Sequence, residues 1–280
     1  MSERRIERVL LGQPASDGAG VKLNRVFGPS HGLDPFLMLD EFNSNQADDY
    51  IAGFPAHPHR GFETVTYMLE GEMLHEDHLG NRGRLVPGAV QWMTAGRGII
   101  HSEMPQQEEG RMRGFQLWLN LPANEKMKPA AYRDIPPEDI PVQTVAGGDV
   151  KVVAGAFAAG EGNQVDGAVV GVTTDPLYLD VRLEPGASLS VPVASDYTVL
   201  MYCYEGQLQV ADTAVEQSRL AVLSKGDRVN LDAGSEGGRA LLLAAKPLQE
   251  PVAHYGPFVM NTPEEVEQAL RDFRGGRLTG

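Results

Sequence analysis

Residues 53–71 read GFPAHPHRGFETVTYMLEG, and the local period of this stretch decides the kind of fold. From Glu63 to Leu69 the run is strand-length, rich in β-branched and aromatic residues, and holds no helical period. Gly71 then closes it with a turn residue. Just upstream, His57 and His59 are separated by one residue, so on an extended chain they project from the same face while Pro58 points away. The same texture recurs outward in Phe115 to Asn120 (FQLWLN), Tyr178 to Leu183 (YLDVRL), Thr198 to Tyr204 (TVLMYCY) and Ala240 to Ala244 (ALLLA). The 32 glycines and 19 prolines are spread along the whole chain and punctuate these short runs. This is the pattern of an all-β protein.

The stretch has an internal echo. Tyr67, Glu70 and Gly71 match Tyr202, Glu205 and Gly206 at an offset of 135. Gly88 matches Gly226, and Ala95-Gly96 matches Ala233-Gly234, at an offset of 138. A common order and a near-constant spacing point to a duplicated β domain, with the extra residues in a loop. Between the halves, five prolines (Pro122, Pro129, Pro136, Pro137 and Pro141) interrupt strand patterning and stiffen the chain. The expected division is an N-terminal domain over 1–122, a Pro-rich linker over 123–142, and a C-terminal domain over 143–280. One helix is predicted, over 263–273. Thr262 serves as N-cap, Pro263 opens the helix, Glu265 completes a capping box, and Val266, Ala269, Leu270 and Phe273 form one apolar stripe before Gly275-Gly276.

Composition narrows the partners. Acids outnumber bases 38 to 24, giving a net charge of −14, which disfavours nucleic acid and anionic lipid as general electrostatic partners. The first ten residues lack the apolar core of a signal peptide, no apolar run approaches the ~18 residues of a membrane span, and one cysteine, Cys203, cannot form an internal disulfide. A cytoplasmic monomer is expected, with Cys203 a buried apolar residue.

Five of the seven histidines, His57, His59, His75, His78 and His101, fall in one short interval. His101-Ser102-Glu103 repeats the parity of His57-Pro58-His59, so a second strand presents a histidine and a carboxylate from one face. Two such pairs facing one another give three imidazoles and one carboxylate, a ligand set for one divalent transition metal: iron, manganese, nickel, copper, cobalt or zinc. Four ligands leave an octahedral ion two positions for substrate and dioxygen, and the residual positive charge favours deprotonation of an enol or phenol.

Beyond this arithmetic, the runs Gly53 to Gly71 and Gly83 to Pro105 resemble the two cupin motifs. LDPFLMLDEF (33–42), HPHRGFETVTY (57–67), QWMTAGRGIIHSE (91–103) and GPFVMNTPEE (256–265) resemble the pirin family specifically. The resemblance implies a bicupin: two tandem antiparallel β-barrel domains of the cupin or jelly-roll kind, with one metal per chain in the first. It implies His57, His59, His101 and Glu103 as ligands and iron(II) as the metal. Quercetin 2,3-dioxygenase activity, known in some bacterial members, would pair a flavonol and dioxygen with Glu103 as the catalytic residue that helps remove the hydroxyl proton. A different reading, which the resemblance equally allows, is a metal-binding regulatory protein that engages a protein partner; a cupin isomerase is a third. In other cupins the carboxylate ligand sits where Glu63 stands, on the same strand parity as His57 and His59; here Glu103 is expected to bind and Glu63 to stand behind the ligands.

Applying the repeat offsets puts Pro192, Ala194, Arg239 and Leu241 at the four ligand positions of the second domain, so that domain is expected to bind no metal. His75 and His78 lack the i, i+4 spacing of a zinc-protease motif and are expected in a loop at the pocket mouth. Arg60 and Arg97 are expected in salt bridges. Part of the set Phe54, Phe62, Trp92, Met93, Phe115 and Trp118 is expected to wall the pocket.

Overall fold

A computed structural model describes residues 2–159 and 164–280 of the chain. Antiparallel strands dominate, and Pro263–Arg274 is the one α-helix among the described residues. No helix is long and apolar enough to cross a membrane. The described chain divides into two compact units.

The first unit holds a seven-stranded sheet in the order Ala131–Ile135, Val90–Thr94, Phe62–Glu70, Met112–Asn120, Phe36–Ser44, Val21–Phe27 and Gln13–Asp17. It also holds a four-stranded sheet in the order Phe54–His59, Ile99–Pro105, Met73–Asp77 and Arg82–Leu85. Leu23, Phe42, Met68 and Met112 of the larger sheet pack on Phe54, Met73 and Leu85 of the smaller, so the two inner faces share one core. Strand parity decides what points inward. In Ile99–Pro105 the buried positions are Ile99, His101 and Glu103, and their neighbours are less buried.

The second unit is built on a nine-stranded sheet whose long members are Thr198–Val210 and Arg228–Ala245. It holds a large apolar core, with Val152, Leu179, Met201, Leu231 and Leu242 fully buried. Cys203 is buried there, as expected, and its thiol is pushed up to about 11 by desolvation.

Two features differ from the contiguous division expected from the sequence. Ile6–Leu11 pairs antiparallel with Arg219–Leu223, so the first residues complete the sheet of the second unit. Leu248–Gly280 belongs to the first unit, and the helix therefore packs there rather than on the second barrel. Its Ala269, with Leu278 and the half-buried Leu270, closes over Phe258 and Ile100; Val266 is also buried, whereas Phe273 of the expected stripe is exposed. The Pro-rich stretch 123–142 is also more structured than a linker. Ala131–Ile135 pairs with Val90–Thr94, and Pro129, Pro136 and Pro137 lie outside the strand, where no ladder N–H is needed.

The repeat mapping shifts as well. In the first unit His57 lies opposite His101. The corresponding pairing in the second unit joins Ser188–Pro192 to the start of Arg228–Ala245, with Leu189 opposite Leu231 and Val191 opposite Val229. Those four buried apolar residues, not Pro192, Ala194, Arg239 and Leu241, face the core at the equivalent place. The offset fails because Arg228–Ala245 runs unbroken through the part played in the first unit by two strands, Ile99–Pro105 and Met112–Asn120.

Candidate metal centre

Neighbouring antiparallel strands bring three imidazoles together. His57 and His59 stand on Phe54–His59, and His101 stands on Ile99–Pro105. Ring centroids are 4.7 Å apart for His57 and His59, 4.4 Å for His57 and His101, and 5.0 Å for His59 and His101. One nitrogen from each ring lies within 4.8 Å of the others. The Nδ1 of His57 donates to the Pro55 carbonyl at 2.8 Å, which leaves its Nε2 with the lone pair. His59 Nδ1 and His101 Nε2 are buried without a hydrogen-bond partner.

Such orphaned atoms cost stability unless something binds them. Burial holds His59 and His101 well below the usual imidazole range, and the neighbouring imidazoles push the same way. Both rings are therefore neutral at physiological pH, the form that ligates a metal. The donor set fits a divalent transition ion.

Glu103 shares the inward face of His101 and is buried, but its carboxylate is outside the histidine cluster. Its Oε1 accepts from Thr66 Oγ1 at 3.1 Å, and its Oε2 accepts from Gln116 Nε2 at 3.0 Å. Glu63 does not stand behind the histidines. The strand breaks at Arg60-Gly61 and resumes in the other sheet, so parity counted from His57 no longer applies. Glu63 lies opposite Thr94 and accepts its hydroxyl at 2.6 Å, with Lys128 Nζ at 3.8 Å. Burial raises its carboxyl pKa.

His75 departs from the expected loop at the pocket mouth. It is buried on Met73–Asp77, with Nδ1 3.3 Å from Nδ1 of His101, while His78 is exposed in the turn beyond. Arg60 forms the expected salt bridge, to Asp272 at 2.8 Å, and also bonds the carbonyls of Leu278 and Arg97.

The cluster opens on a cavity of about 670 Å³. His57, His59, Met38, Phe54, Trp118 and Gln116 line it, and Pro257 and His254 contribute from the returning C-terminal segment. Trp118 sets its ring edge-on to His59 at 5.3 Å and is backed by Phe62 at 4.3 Å. Of the aromatics weighed from the sequence, Phe54 and Trp118 reach the cavity and Phe115 is fully buried core. Gln116 and the residues of 254–257 were not picked out as site residues. The i, i+2 relation of Gln116 to Trp118 was the signal for the former, whereas nothing local marked the latter as pocket wall.

Comparison with known proteins places this architecture. Residues 20–119 match the family model described as Pirin, and residues 178–279 match the Pirin C-terminal cupin domain. The chain belongs to the pirin family. The first matched region lies within the first unit, whereas the second covers 178–247 of the second unit and continues into 248–279, which belong to the first. A Pseudomonas aeruginosa relative with the provisional name of a quercetin 2,3-dioxygenase is 58% identical over 95% of each chain. The human protein named Pirin is 41% identical, covering 99% of this chain and 94% of its own length. The crystal structure of a quercetin 2,3-dioxygenase from Acinetobacter baumannii superposes with a TM-score of 0.89 at 33% identity, covering 99% of both chains.

Proposed function

We propose that the chain is a metal-dependent dioxygenase that opens a flavonol such as quercetin. His57, His59 and His101 hold one divalent ion, iron(II) in the cell, and Glu103, whose carboxylate rests on Thr66 and Gln116 outside the histidine cluster, turns toward the ion as the fourth ligand. The observation that carries this reading is the cavity: a cluster of three imidazoles, two of them with orphaned nitrogens, of which His57 and His59 line a space of about 670 Å³ with a largely apolar wall. That volume lies in the range of about 300–1,000 Å³ typical of small-molecule sites. The names of the Pseudomonas aeruginosa and Acinetobacter baumannii relatives support the substrate class.

When bound, the ion supplies Lewis acidity that favours ionisation of the flavonol hydroxyl. Trp118 and Phe54 offer flat faces that orient a planar polycyclic substrate. Glu103 takes the hydroxyl proton, and Gln116, which lines the cavity, donates to its Oε2 and holds the carboxylate in place. Pro257 and Met38 add apolar surface to the cavity wall.

The test is aerobic incubation of iron(II)-loaded protein with quercetin, followed by visible absorption. Loss of the flavonol band is expected for the wild type and none for His59→Ala; removing oxygen should stop the reaction. Turnover without oxygen would instead mark an isomerase. A metal-loaded protein that leaves quercetin intact in air would overturn the dioxygenase reading.

A further inference from the structure

We infer that His75 and Asp77 are positioning residues that set the tautomer of His101, directing its Nε2 lone pair into the imidazole cluster. This rests on the three-histidine site as a metal site. Both residues lie on Met73–Asp77, whose register puts Asp77 opposite His101 and His75 opposite Glu103.

The chain of constraints starts at Asp77, whose side chain is fully buried. Its Oδ1 accepts the backbone N–H groups of Leu79 at 2.9 Å and Asn81 at 3.0 Å, and its Oδ2 accepts Asn81 Nδ2 at 2.8 Å. Three bonds within one turn fix the carboxylate, and Oδ2 lies 3.6 Å from Nε2 of His75. The His75 ring is held in plane by stacking on Tyr132, with centroids 4.3 Å apart and 24° between planes.

At 3.6 Å no hydrogen bond joins the two groups and Nε2 of His75 is buried without a partner, but the fixed negative charge facing that nitrogen favours the tautomer that carries its hydrogen there over the one that presents a lone pair. In a neutral ring the other nitrogen, Nδ1, is then an acceptor. It meets Nδ1 of His101 at 3.3 Å, and two acceptors cannot share that contact, so His101 Nδ1 is the donor. His101 Nε2 is left with the lone pair, and it is the ring atom of His101 that is buried without a partner. Partners of this kind, behind a ligating imidazole, typically control 10–100-fold in metal affinity.

Nickel(II) titration of metal-free protein by calorimetry tests the inference, together with ¹⁵N NMR of the imidazoles. His75→Phe keeps a ring against Tyr132 but removes the acceptor, and should weaken nickel binding about 10–100-fold. His75→Gln restores an acceptor and should recover most of the loss. Asp77→Asn turns an N–H₂ toward His75, reverses the chain and should weaken binding in the same direction. The wild-type spectrum should show His101 protonated on Nδ1. Folded His75→Phe and Asp77→Asn proteins that bind nickel within twofold of wild type, or a wild-type His101 protonated on Nε2, would overturn the inference. Failure of the wild type to bind nickel at all would instead count against the metal site, and the NMR assignment would still decide the tautomer.

Discussion

A buried histidine and a buried glutamate can each be core or chemistry, and their hydrogen-bond partners decide which. His59 and His101 are neutral, desolvated and short of a partner, whereas Glu103 has two donors in Thr66 and Gln116. Glu103→Gln should lower quercetin turnover about 100-fold or more, the scale of a lost proton acceptor, measured as kcat. Glu63 is the contrasting case. Its carboxyl pKa is raised, so the fold disfavours its charged form, and that stability is lost as pH rises from the unfolded value of 4.5 through the higher folded one. Lys128 is partly solvated and offsets little of this. Glu63→Gln should therefore melt at or above the wild-type temperature at pH 7, lose that advantage below pH 4, and leave nickel affinity unchanged. Calorimetry reads the first two and titration the third. The clustering of the histidines was legible because residues i and i+2 on one strand share a face; the place of Glu63 was not, because that rule ends where the strand does.

At the scale of elements, the strands that carry the clustered histidines are fastened by the C-terminal segment. Gly61, at φ 92°, follows the strand that carries His57 and His59, and a Cβ there would lie 2.0 Å from the Val259 carbonyl oxygen. Gly98, at φ 155°, precedes the strand that carries His101, and a Cβ there would lie 2.2 Å from the Leu278 carbonyl oxygen. Only glycine allows these approaches. Buried Lys126 joins the same parts, donating to Gly61 O at 2.7 Å, Asn120 Oδ1 at 2.6 Å and Val259 O at 3.0 Å. Lys126→Met takes a donor from three acceptors, of which Asn120 Oδ1 keeps the Leu121 N–H at 3.1 Å, and should cost about 2–4 kcal/mol in urea unfolding. Burial pushes the Lys126 amine down to about 8. Between that value and 10.5 the unfolded chain holds a proton that the folded one releases, so wild-type stability should rise with pH across this window. The gap to Lys126→Met should widen accordingly. The helix itself was legible in its capping box, where Glu265 N–H donates to Thr262 Oγ1 at 3.2 Å and Thr262 N–H donates to Glu265 Oε2 at 3.1 Å. Its destination was not, because a cap describes only the helix it starts.

For the whole molecule, the duplication has kept two β units and placed the imidazole cluster in one of them. The second unit fills the equivalent place with Leu189, Val191, Val229 and Leu231, which offer no lone pair to a metal. Metal binding should therefore stabilise one unit alone. At a hundredfold excess over Kd the gain is about 2.7 kcal/mol, or about 5–10 °C for a domain of this size. Scanning calorimetry with and without nickel(II) should show one transition moving by that amount and the other staying in place; a shift of both would place metal in both units.

From its sequence alone the chain determines its strands, its duplication, the shared faces of His57 with His59 and of His101 with Glu103, and a capped terminal helix. Each of these depends on neighbours a few positions away, where backbone geometry imposes a period. Tertiary structure decided which unit receives the ends of the chain, that His75 stands behind His101, that Glu103 rests on Thr66 and Gln116, and that Pro257 walls the cavity. Those outcomes come from burial and pairing between distant segments, as between Arg60 and Asp272, 212 positions apart, and such contacts leave no local pattern to read.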